Sequence, residues 1–125
     1  MKKISSILFA LFIMFGLYIG VSNKALAYSE QDVVNLITGN DNSSWIAMDS
    51  NTSCRTLTFR SDETYKVVVR KFNPKGFSDI LYCPKNDGAM VFHIQYNADQ
   101  DKYYAYIWLG ANQNEMLCRS GYYRD

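Results

Sequence analysis

The hydrophobic pattern of this chain changes period once, near residue 40. Before that point Val33, Leu36 and Ile37 recur at helical spacing. Ser29 precedes them with Asp32 three residues on, and Gly39 follows them. This arrangement predicts a helix over 30–38, opened by a capping box and stopped by glycine. Two turns of helix do not stand alone in water, so this one must pack on something. From residue 44 onward the period is two. Segments 44–48, 54–60, 64–72, 77–83, 89–96, 102–109 and 116–124 read as seven short strands. Leu57 and Phe59 oppose Thr56 and Thr58, and Tyr65, Val67 and Val69 share a face. Met90, Phe92, Ile94 and Tyr96 oppose Val91, His93 and Gln95. In 102–109, Tyr103, Ala105, Ile107 and Leu109 form the smaller, more apolar set and suit a tight core. That orientation leaves Tyr104, Tyr106 and Trp108 as an outward aromatic strip.

Gly, Pro, Asn and Asp separate the strands, in "SDE", "NPKG", "PKNDG", "NADQD" and "GANQNE". Connections this short suit antiparallel hairpins and leave no room for parallel crossovers. The predicted fold is mainly β: a small antiparallel up-and-down barrel of seven to eight strands, with the helix at one end. Closure would remove the free edges of such a meander. A two-sheet sandwich is the alternative.

Ahead of the helix stands a different segment. Lys2 and Lys3 are followed by an apolar run from Ile4 to Val21, then by small residues at Ala25 and Ala27. This is the layout of a secretory signal peptide, expected over 1–27, with a single domain over 28–125 and no stable membrane anchor after cleavage. The destination is the periplasm or the medium. Removing Lys2, Lys3 and Lys24 takes Lys+Arg from 13 to 10 against 12 Asp+Glu, a net charge of −2. The charges are interspersed, with no basic stripe for nucleic acid. In an oxidising compartment the three cysteines, Cys54, Cys83 and Cys118, supply one disulfide and one thiol. Up-and-down strands put Cys83 and Cys118 at one end of a barrel, so Cys83–Cys118 is the expected bond.

Motifs for catalysis are missing: the chain has no Gly-x-Ser-x-Gly, no His-Glu-x-x-His and no glycine-rich phosphate loop. His93 is the lone histidine, without ligands at metal spacing, and reads as an exposed strand residue. The expectation is a protein that is not an enzyme and uses no metal or cofactor.

Two family resemblances add to this reading. The short helix, Trp45 at the first strand, the hairpin residues Leu57, Phe59, Asp62 and Tyr65, and a last strand ending in tyrosine and arginine resemble small bacterial lipocalin-like domains. Glu63 stands where their turn glycine is common. This resemblance implies a calycin-type barrel whose function ranges from small-molecule carriage to protease inhibition. Ser61, Tyr65, Phe72, Lys75 and Gly76 are similar to a signature of periplasmic inhibitors of c-type lysozyme, with Asp62 and Pro74 departing from it. There the Ser and Lys are implied to face an acidic catalytic pair.

The function expected is therefore an exported, non-enzymatic binding protein, an inhibitor or immunity-type module for a protein partner such as a toxin or hydrolase. The contact candidates are Ser61, Tyr65, Phe72, Lys75, Tyr104, Tyr106 and Trp108. A carrier of a small apolar or amphiphilic ligand is the alternative.

Overall fold

The structure, a computed structural model, describes residues 28–49, 51 and 54–125; the leader expected over 1–27 lies outside these. Helix α1 (Glu30–Thr38) forms where the pattern places it. The Ser29 side chain accepts from the Asp32 N–H, the Asp32 side chain accepts from the Ser29 N–H, and Gly39 closes the helix in the left-handed region at φ 63°. Val33, Leu36 and Ile37 are buried. The helix is thus held by tertiary packing, as its length requires.

Seven strands follow: β1 (Ile46–Ala47), β2 (Thr64–Lys71), β3 (Phe77–Pro84), β4 (Met90–Asn97), β5 (Lys102–Leu109), β6 (Glu115–Met116) and β7 (Tyr122–Arg124). All pairings are antiparallel, in the order β1-β7-β5-β4-β3-β2, with β6 also on β5. The long hairpin β4–β5 pairs over its full length, from Met90↔Leu109 to Asn97↔Lys102. The end strands β1 and β2 are not paired with each other. The sheet is therefore open, and the closure expected from the strand count is not made.

Two expected strands explain the opening. Segment 54–60 contributes a single bridge, Leu57 to Trp45, with N–H···O distances of 2.7 and 2.9 Å. Segment 116–124 breaks into β6 and β7 at a turn where the Gly121 N–H reaches the Cys118 carbonyl. Gly121 has φ 83°, and a Cβ there would sit 3.0 Å from the Ala105 carbonyl oxygen, so only glycine lets β7 close onto β5.

One face of the sheet carries the core. Ile80, Tyr82, Phe92, Ile94, Ile107 and Tyr122 are all within 1 % of full burial. Phe59 packs edge-on to both Tyr82 and Phe92, and Trp45 lies 6.2 Å from Phe92. Rings fill this interior. On β2 the expected face is broken by a bulge: Thr64 pairs with Pro84 and Lys66 with Cys83, leaving Tyr65 as the extra residue. Val67 and Val69 pack on the core, whereas Tyr65 turns out and is 73 % exposed.

Trp45 and Arg124 join the two ends of the fold. The Trp45 indole N–H donates to the Ile37 carbonyl at 2.9 Å, and the Arg124 guanidinium stacks 4.4 Å from the Trp45 ring. Arg124 Nη1 also donates to the Leu36 and Ile37 carbonyls. Both side chains thus answer carbonyls left open in the last turn of α1.

The disulfide corrects the sequence expectation. Cys54 bonds to Cys118, with Cα atoms 5.1 Å apart, and Cys83 is the free thiol. Alternation on β3 explains this. Ile80 and Tyr82 point into the core, so Cys83 points out, while Cys54 and Cys118 are both buried. Strands β4 and β5 also stand between β3 and the segment carrying Cys118. Sharing an end of the sheet does not make two cysteines neighbours when they differ in face and lateral position.

Candidate functional site

The outer face of β5 carries Tyr106, which is exposed, between the half-buried Tyr104 and Trp108. A row of apolar side chains crosses it in register: Val68, Leu81, Val91, Trp108 and Met116. Val91 is fully buried although it lies on the solvent side, because Leu81 and Trp108 flank it. The adjacent row places Asp79, His93 and Tyr106 side by side on β3, β4 and β5.

His93 is not the plain exposed residue expected from its strand. Its side chain is 26 % exposed, with the ring 4.6 Å from Trp108 and 5.5 Å from Phe77. Its Nε2 lies 3.4 Å from Asp79 Oδ1, and Arg70 Nη1 is 3.7 Å from the same oxygen. Asp79 thus lies within ion-pair distance of both the Arg70 guanidinium and the His93 imidazole. Sequence reasoning missed this cluster. Arg70, Asp79 and His93 lie on three successive strands, and only strand register brings them together. A charged residue at the centre of the strand "FSDILYC" was the one available signal.

Beside this cluster runs a groove of about 490 Å³. Phe77, His93, Gln95, Tyr104 and Tyr106 line it together with Met48, Ser120 and Gly121. Tyr106 is 47 % exposed and Met48 51 %. Tyr104 is steadied by its hydroxyl, which donates to Gln100. The groove therefore offers aromatic faces with polar tips and one imidazole. Among the described residues no group of three or more His, Cys, Asp or Glu could hold a metal ion.

The other contact candidates lie elsewhere. Ser61 opens a short 3-10 turn (Ser61–Glu63), where its N–H and hydroxyl donate to the two carboxylate oxygens of Asp41 at 2.7 and 2.8 Å. Phe72 packs on Tyr28 with ring centroids 5.0 Å apart. Lys75 holds its ammonium 4.5 Å above the Tyr96 ring. Ser61 and Lys75 flank opposite ends of β2, whose eight residues span about 23 Å. The structure thus brings together Tyr104, Tyr106 and Trp108, and leaves Ser61, Tyr65, Phe72 and Lys75 dispersed along β2 and its two turns.

Asp41 yields a pH prediction. The hydrogen bonds from Ser61, backbone first and then side chain, hold its carboxyl below the ordinary aspartate value. A depressed acid stabilises the fold at pH above its unfolded value of about 4, and that contribution is lost as pH falls through the lower folded value. Asp41→Asn is expected to lower Tm at neutral pH, with the gap to wild type shrinking below about pH 4. Thermal melts from pH 7 to pH 2 test this; a gap that stays constant would show that Asp41 is not the titrating group.

Among the described residues no helix is long and apolar enough to cross a membrane. No protein-family model matches the chain, and neither the curated proteins nor the solved structures contain a match to it.

Proposed function

We propose that this chain is an exported, non-enzymatic binding protein whose outer sheet face docks a protein partner, in the manner of an inhibitor or immunity-type module that neutralises a toxin or hydrolase. One observation carries the reading: Tyr104 and Tyr106 of β5 join Phe77, His93 and Met48 along a single groove on the solvent side, with Trp108 packed against His93 beside it. Exposed aromatics with polar tips, set in a shallow cleft, are the composition of interface centres. The interior, by contrast, is filled by Trp45, Phe59, Tyr82, Phe92 and Tyr122, which leaves a lumen carrier little room.

The lipocalin-like architecture belongs to this proposal as well. The Trp45–Arg124 stack links the residues at either end of that resemblance, and α1 packs against β2 near the opening of the sheet. A lysozyme-directed form is the weaker variant, since the Ser61 hydroxyl is already engaged by Asp41.

The test is a retention assay on exported proteins of the source cell, with c-type lysozyme as a control. Tyr106→Ala, at an exposed position, is expected to weaken retention of the partner by roughly ten- to thirtyfold while leaving the melting temperature nearly unchanged. Tyr65→Ala, on the distant bulge, should retain the same partner at full strength. Equal retention by wild type and Tyr106→Ala removes the groove from the interface.

A further inference from the structure

A second recess, of about 570 Å³, lies on the other face of β5, between α1, the β2–β3 corner and β7. Its apolar walls are Tyr28, Leu36, Phe72 and Tyr103, and Arg124 lines it. Arg124 is only 5 % exposed. Its guanidinium is held between the Trp45 and Tyr103 rings, at 4.4 and 5.0 Å. Nη1 donates to the α1 carbonyls, but Nε is buried with no hydrogen-bond partner, and no carboxylate of the described residues pairs with this side chain. Burial therefore pulls the group down to about 10, opposed only by Tyr103. A guanidinium taken out of water with an N–H unspent and no counter-charge is costly to the fold.

Two carboxylates stand at the rim, and each is engaged. Asp32 accepts from the Ser29 N–H at 3.0 Å, and Asp125 accepts from Lys102 at 2.6 Å. Neither forms an ion pair with Arg124.

From this geometry we infer that the recess is a binding site for a small organic anion, a carboxylate with an aromatic or short apolar tail. The carboxylate faces Arg124, and the tail lies against Tyr28, Phe72 and Tyr103. The size is within the range of small-molecule sites, and the recess sets apolar walls beside polar groups, Asn35, Asn40, Ser43 and the Arg124 guanidinium, with Asp32 and Asp125 also in its lining. Charge-assisted pairing to a shielded guanidinium supplies the selectivity for an anion over a neutral isostere. This site is separate from the proposed docking groove: Tyr103 and Tyr104 point to opposite faces of the sheet.

Calorimetric titration of the purified protein with 4-phenylbutyrate, and with its neutral amide 4-phenylbutyramide, tests the inference. The acid is expected to bind saturably and the amide at least about tenfold more weakly. Arg124 variants risk unfolding, so the pocket is filled from the half-buried helix position Asn35 instead. Asn35→Trp should abolish binding of the acid, and Tyr106→Ala should leave it unchanged. No saturable binding of the acid, equal binding of acid and amide, or full binding to Asn35→Trp would overturn the site. None of these results bears on the docking groove, whose test reads retention of a protein.

Discussion

Trp45→Ala is expected to cost about 3–5 kcal/mol, the range for truncating a large buried aromatic. Domains of this size typically carry 5–15 kcal/mol in all, so the variant should be marginal at 37 °C. The site explains why the loss sits at the upper end. Trp45 is 1 % exposed, contacts Phe92, and donates to the Ile37 carbonyl. It also supplies one of the two rings that hold Arg124. Removing it opens a cavity, strips a helix-end carbonyl of its donor and loosens a buried cation. Trp108→Ala serves as the control, because Trp108 is half-buried on the outer face and should cost well under half as much. Urea melts followed by far-ultraviolet circular dichroism compare the two. A Trp45→Ala unfolding free energy within about 1 kcal/mol of wild type would show that the Trp45 contacts do not hold the helix to the sheet.

Loss of the Cys54–Cys118 bond is expected to be nearly as large. The cysteines are separated by 64 residues, and closing a loop of that length is worth about 4 kcal/mol in the chain-entropy model. The bond ties the irregular segment leading to Leu57 and Phe59 to the turn between β6 and β7, two regions with few ladder hydrogen bonds of their own. Cys54→Ser and Cys118→Ser should therefore destabilise alike, and the double variant by no more than either single one. Cys83→Ser, on the outer face, should stay within about 0.5 kcal/mol of wild type. Non-reducing peptide mapping gives an independent readout: the linked peptides should contain residues 54 and 118. A link to Cys83 would overturn the assignment.

These two predictions rest on parts of the fold that differed greatly in how far they could be read beforehand. Helix α1 was legible to the residue, because Ser29, Asp32 and Gly39 act through local backbone geometry. The β3, β4 and β5 strands were legible because their alternation is strict and their turns short. Segment 54–60 alternates just as cleanly, yet forms one bridge, since a strand needs a partner ladder and alternation does not supply one. The face of Tyr65 was misread because a bulge shifts the parity of every residue before it, and nothing in "ETYKV" marks a bulge.

The candidate site divides in the same way. Clustering of Tyr104, Tyr106 and Trp108 followed from period two on a single strand. Their neighbours Phe77, Asp79 and His93 come from two other strands, and the recess around Arg124 draws on elements from α1 to the last strand.

By itself the amino-acid sequence determined the helix and its caps, the antiparallel β class and the inward faces of the central strands. Each depends on residues within a few positions of one another. Tertiary structure alone decided the open sheet, the Cys54–Cys118 pairing, the Asp79–His93–Arg70 cluster and the two recesses. Those depend on strand register and on which side of the sheet a distant side chain faces, and a shift of one residue in register reverses that side.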